Sequence, residues 1–137
     1  MESLNPKDLS ALCARINAAI DVKEFIPLLQ YYPEKALQAF GLWRMYCPLH
    51  EETLFRTLVI NPRRNTCHCE YSCCVAHQPS DLVDVLCKTR GLTRPDTLVL
   101  LIETFGLERL KITPEQEEQI RRLIEEDREL SDLAELD

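Results

Sequence analysis

Five cysteines fall within 28 residues of this chain (Cys47, Cys67, Cys69, Cys73 and Cys74), and the first of them opens Cys47-Pro48-Leu49-His50. No other feature constrains the fold as strongly. A Cys-x2-His step places two ligand side chains on one tight turn. A second pair reached across a longer loop completes a tetrahedral site of the structural zinc kind. The N-terminus, Met-Glu-Ser-Leu-Asn-Pro-Lys-Asp, lacks the basic start and apolar stretch of a secretory signal. Metal binding is therefore expected over disulfides, and a cytoplasmic location with it. No apolar run approaches the roughly 18–20 residues that a membrane span requires, so no membrane association is expected.

The second ligand pair begins at Cys69, with eighteen residues enclosed between it and His50. That interval suits a strand, a turn and a returning strand. Its partner is read as Cys74, four residues being enclosed, with Cys73 as the alternative, three being enclosed; both gaps lie within the usual two to four. Cys67 is a third candidate, although two cysteines at a spacing of two on an extended strand hold their sulfurs far apart for one ion. The expected set is Cys47, His50, Cys69 and Cys74 around Zn2+. Four protein ligands fill the coordination sphere, which argues against a catalytic zinc with Glu51 or Glu52 as base. Cys13 and Cys87 sit in helical patterns as small buried apolar residues.

The remainder reads as short elements around this site. Asn5-Pro6-Lys7-Asp8 is a helix start, with Asn as cap and Pro in the first turn. Residues 36–47 form a hairpin centred on Gly41, with Trp43, Met45 and Cys47 alternating against Arg44 and Tyr46. Residues 53–60 and 66–71 are strands joined by the turn sequence Asn61-Pro62-Arg63-Arg64-Asn65. Helices open at Pro79-Ser80-Asp81 and at Thr93-Arg94-Pro95-Asp96, stopping near Gly91 and Gly106. A capping box, Thr113-Pro114-Glu115-Gln116, begins a long charged helix running to about residue 130. The fold class is α+β: a β-sheet carrying the zinc site and flanked by short helices, with a charged C-terminal helix. The division expected is residues 1–20 as an N-terminal helix, 21–106 as the zinc-binding domain and 107–137 as an acidic helix and tail.

Charge is distributed unevenly. Residues 113–137 hold ten acids and three bases, which accounts for the whole formal net charge of −7. The rest is neutral on balance, and no acid occurs between Thr53 and Cys69, where Arg56, Arg63 and Arg64 lie. Arginines pair with phosphates and stack on bases, and aromatic rings stack with single-stranded bases. Arg44, Arg56, Arg63 and Arg64, with Trp43 and Tyr71, are thus candidate nucleic-acid contacts, and few cations mean weak, salt-sensitive binding.

Cys47-Pro48-Leu49-His50-Glu51-Glu52-Thr53, the strand–Gly–strand before it, His68-Cys69, then Cys74-Val75-Ala76-His77 and the helix from Asp81 resemble the N-terminal zinc-binding domain of bacterial DNA primases. The resemblance spans roughly residues 21–106. It implies a zinc ribbon that contacts single-stranded template DNA and a role in DNA replication. The spacing of the second pair departs from the family's usual two. The chain also lacks the separate catalytic domain and its Asp-x-Asp, so it is not expected to polymerise nucleotides by itself. The alternative reading is a zinc-stabilised adaptor that docks a protein partner through residues 113–137, where Ile120, Leu123, Ile124, Leu130 and Leu133 form an apolar stripe.

Overall fold

The structure, a computed structural model, describes residues 4–29, 36–50 and 55–135. The chain is α+β and divides into two compact units. One is Ile20–Leu92, which carries the sheet. The other joins Met1–Ala19 to Thr93–Asp137 and is helical.

In the sheet unit, Asp21 caps helix α2 (Val22–Phe25) by accepting from the Glu24 N–H at 3.3 Å, and a 3-10 turn, Ile26–Leu29, follows directly. The sheet is an antiparallel meander of β1 (Leu37–Ala39), β2 (Leu42–Met45), β3 (Leu58–Asn61), β4 (Thr66–Cys69) and the two-residue β5 (Ser80–Asp81), in that spatial order. Trp43 pairs with Ile60 and Ile60 with Cys67, while Met45 pairs with Leu58 and Leu58 with Cys69. Successive side chains alternate between faces, so these six share one face, and all six are buried. Arg44, Val59 and His68 form the matching row on the other face, where Arg44 and His68 keep part of their surface in solvent.

Helix α3 (Leu82–Arg90) packs against β4, β5 and the 3-10 turn. Asp81 caps it through the Asp84 N–H at 2.7 Å, and Gly91 ends it at a φ of 65°, a left-handed stop that glycine adopts without a Cβ penalty. Two long-range bonds tie the unit together: Asn65 Nδ2 donates to the Ile20 carbonyl at 2.8 Å, and Arg90 Nε donates to the Leu28 carbonyl at 2.8 Å.

The helical unit holds α1 (Pro6–Ala18), α4 (Arg94–Phe105), the short α5 (Leu107–Leu110) and α6 (Pro114–Glu135). Asn5 and Thr93 cap α1 and α4, and Thr113 and Gln116 form the reciprocal capping box of α6 at 2.9 and 3.1 Å. α4 packs on α6, where Arg121 bridges Glu117 and Glu103. No helix among the described residues is long and apolar enough to cross a membrane.

Several local expectations need correction. The strand expected over residues 53–60 begins only at Leu58; residues 53 and 54 lie outside the described set, and Phe55 to Thr57 are not strand. α6 continues to Glu135, because nothing in its sequence past residue 130 breaks a helix. Cys13 is buried, but Cys87 is only half-buried.

Candidate metal centre

The geometry that gathers the ligands follows from the sheet register. Met45, Leu58 and Cys69 stand side by side at one end of the sheet, on one face. Cys47 lies two residues beyond Met45, so alternation carries it to the same face and the same end. The turn over Pro48 and Leu49 then swings His50 back. On the other side, the loop after β4 closes on itself: the Cys69 N–H donates to the Ala76 carbonyl at 2.8 Å, and the Cys74 N–H to the Tyr71 carbonyl at 3.0 Å. That turn brings Cys74 to the cluster and leaves Cys73 exposed.

Cys47, His50, Cys69 and Cys74 offer ligand atoms that all lie within 4.8 Å of one another, three of the residues being buried and His50 half-buried. The Cys47 and Cys74 sulfurs are 3.8 Å apart, and His50 Nε2 is 3.3 Å from Cys69 Sγ. These four residues are positioned to bind a metal ion. Cys67 does not join them; it is buried beside the Asp81 carbonyl, 3.8 Å from its sulfur.

Each ligand sulfur sits beside a backbone N–H two residues further on, from Leu49 for Cys47, from Tyr71 for Cys69 and from Ala76 for Cys74. Such bonds stabilise thiolate charge, the form that binds metal. Thr57 adds a hydroxyl 3.3 Å from Cys69 Sγ. Burial opposes ionisation at Cys69, but the Thr57 hydroxyl, His50, the Tyr71 N–H and Cys74 together hold its thiol below the ordinary value. At Cys47 burial dominates and pushes the thiol well up, helped by the neighbouring Cys69 and Cys74 sulfurs. Three clustered sulfurs cannot all carry charge in a buried site without a cation, and a bound metal supplies it. Burial, then Asp81, pushes the Cys67 thiol up to about 12, the environment of an inert core cysteine.

An outer layer supports the site. His77 Nδ1 donates to the Cys69 carbonyl at 2.9 Å, which fixes the proton on that nitrogen because a carbonyl only accepts. The Tyr71 ring lies against the His50 ring, centroids 4.9 Å apart.

The candidate nucleic-acid residues are distributed as follows. Arg63 and Arg64 are exposed in the β3–β4 turn, at the end of the hairpin opposite the cluster. Arg44 pairs with Glu70 on the half-solvated face, and Arg56 stands over the Tyr46 ring at 5.0 Å. Tyr71 is partly exposed beside His50. Trp43 is buried, with 8% of its surface accessible, which leaves little ring for a base to stack on. Two further aromatics are exposed: Phe55, and Phe40, whose ring is fully in solvent at the β1–β2 turn with a φ of 55°. The sequence signal of Phe40 is an aromatic standing before Gly41 where a hairpin favours Asn or Asp.

Fold and cluster together define a class, an α+β chain whose sheet end presents a Cys3His site able to hold one metal ion. Comparison with protein-family models, with curated proteins and with solved structures found no match.

Proposed function

We propose that the chain is a zinc-stabilised module that binds single-stranded DNA, in the manner of the bacterial primase zinc domains its cysteine motif resembles. Zinc is favoured by donor chemistry and by distance. Three thiolates and one imidazole suit it better than hard oxygen-seeking ions. A tetrahedral zinc, about 2.3 Å from sulfur and about 2.0–2.1 Å from nitrogen, sets two sulfurs about 3.8 Å apart and a sulfur and nitrogen about 3.6 Å apart. The Cys47–Cys74 and His50–Cys69 separations here are 3.8 and 3.3 Å, within a set of four donors that all lie within 4.8 Å of one another. With four protein donors the zinc is structural.

The DNA reading is carried by Arg63 and Arg64, exposed together at the tip of a hairpin whose other end is anchored by the cluster. Along that hairpin, from Phe55 to Cys69, no carboxylate offsets them. Tyr71 at the cluster end and His68 midway along the open face supply partly exposed rings for stacking. Arg44 contributes less, since Glu70 already holds it. Two or three phosphate contacts on a single strand give a log–log salt slope of about −1.4 to −2.1, so raising salt fourfold weakens binding by roughly 7- to 18-fold.

Fluorescence anisotropy of the zinc-loaded protein with short single-stranded DNA tests this. Saturable binding with that salt dependence is expected, together with a loss of at least about tenfold in the double variant Arg63→Glu, Arg64→Glu at unchanged zinc content. Unchanged affinity in that variant would count decisively against the reading.

A further inference from the structure

Helix α6 outruns the helix beside it. α6 has 22 residues and α4 has 12. Arg121 of α6 reaches Glu103 near the end of α4, while Asp127 lies beside Pro95 and Asp96 at its start. The pair is therefore antiparallel, and α4 is exhausted by Asp127. The last two turns of α6, roughly 12 Å, extend beyond it. Every described side chain from Glu125 to Ala134 is exposed.

That overhang is not simply polar. Leu123, Asp127, Leu130 and Ala134 follow one line along the helix, at steps of four, three and four. Leu130 and Leu133 are 66% and 62% exposed. At the foot of the line is a groove of about 260 Å³, lined by Leu9, Pro95, Leu123 and Ile124 with the carboxylates Asp96 and Asp127. A half-covered groove thus leads, past the Asp127 carboxylate, to the uncovered Leu130 and Ala134. Around it, Glu125 to Glu135 supplies six acids and a single base, Arg128.

Charge selects among the possible occupants. A second copy of α6 would bring six more acids onto the first, and nucleic acid or an anionic lipid surface would be repelled in the same way. We infer that the groove and the distal half of α6 form a docking surface for a basic amphipathic helix of a partner protein. Apolar anchors of that helix, spaced at i, i+3 or i+4 and i+7, fill the groove and cover Leu130, and its flanking Lys and Arg residues meet the acids. The inference stands apart from the DNA reading, since none of its residues belongs to the sheet unit.

The test uses the full zinc-loaded chain and two fluorescent synthetic peptides of about 18 residues, identical in Leu, Lys and Arg content. In one the leucines share a helical face; in the other they are scattered. The amphipathic peptide is expected to bind saturably and at least about tenfold more tightly than its scattered control. The double variant Leu130→Ser, Leu133→Ser, changed only at exposed positions, is expected to lose about tenfold in peptide affinity and none in DNA affinity. Equal binding of the two peptides would reduce the surface to bare charge attraction and overturn the proposal. So would peptide affinity unaffected by the serine variant, or a dimer of the chain that this variant abolishes.

Discussion

Cys73 and Cys74 are adjacent, and only one of them takes part in the cluster. The sequence brings the question down to these two and no further, because enclosed gaps of three and four are both compatible with a ligand pair. The hydrogen bond from the Cys74 N–H to the Tyr71 carbonyl decides it, by closing a turn that leaves Cys73 in solvent. Cys47, His50 and Cys69 were legible because their spacings are themselves the motif. The N–H groups beside each sulfur were not, since they depend on backbone direction rather than residue type. Cys74→Ser is therefore expected to abolish tight metal binding, and Cys73→Ser to leave it intact. Titration with cobalt checks both, through the charge-transfer and ligand-field bands of a tetrahedral thiolate site. Equal loss in the two variants would mean that the turn at Tyr71 rearranges when metal enters.

Among the elements, the β1–β2 hairpin holds an unexpected combination. Phe40 and Gly41 both have positive φ, 55° and 75°, the backbone of a two-residue hairpin turn in which Asn-Gly is preferred. Left-handed backbone costs a non-glycine residue about 1–2 kcal/mol. Phe40 recovers none of this by burial, as its side chain is fully exposed. Phe40→Asn is accordingly expected to stabilise the sheet unit by about 0.5–1 kcal/mol, seen as a higher urea midpoint at unchanged slope. A midpoint unchanged or lowered would show that the ring makes contacts that offset the strain. The hairpin itself was legible from alternation around Gly41, and the caps of α1, α3, α4 and α6 from Asn5, Asp81, Thr93 and Thr113. Residues 53–60 misled because β-branched and apolar residues mark burial as readily as pairing. Here the Leu58–Asn61 segment pairs with both neighbours, and Thr57 instead turns its hydroxyl to Cys69.

At the scale of the whole molecule, the division into Ile20–Leu92 and a unit built from both ends of the chain rests on contacts between residues far apart in sequence. Periodicity identifies which face of α1 or α4 is buried but not what buries it. The two units also differ in what stabilises them. The helical unit buries Leu12, Ile16, Leu98, Leu101, Ile102, Phe105, Leu110 and Ile120, and its three longer helices, α1, α4 and α6, begin with side-chain caps. The sheet unit has an apolar core too, with Phe25, Ile26, Leu58, Ile60, Leu82 and Leu86 fully buried, but its strands are two to four residues long and three buried cysteines gather around one point. Structural zinc contributes on the order of 10–16 kcal/mol of apparent binding energy to folding, comparable with the entire stability of a small domain. Removing the metal should therefore act on one unit first. With a strong chelator and a thiol reductant present, amide hydrogen exchange is expected to lose protection in β2, β3, β4 and α3. Amides in α1, α4 and the first half of α6 should keep theirs, and readdition of zinc should restore the rest. Loss of protection in α4 and α6 at the same rate as in β3 would show that the chain melts as a single cooperative fold, with the metal stabilising all of it.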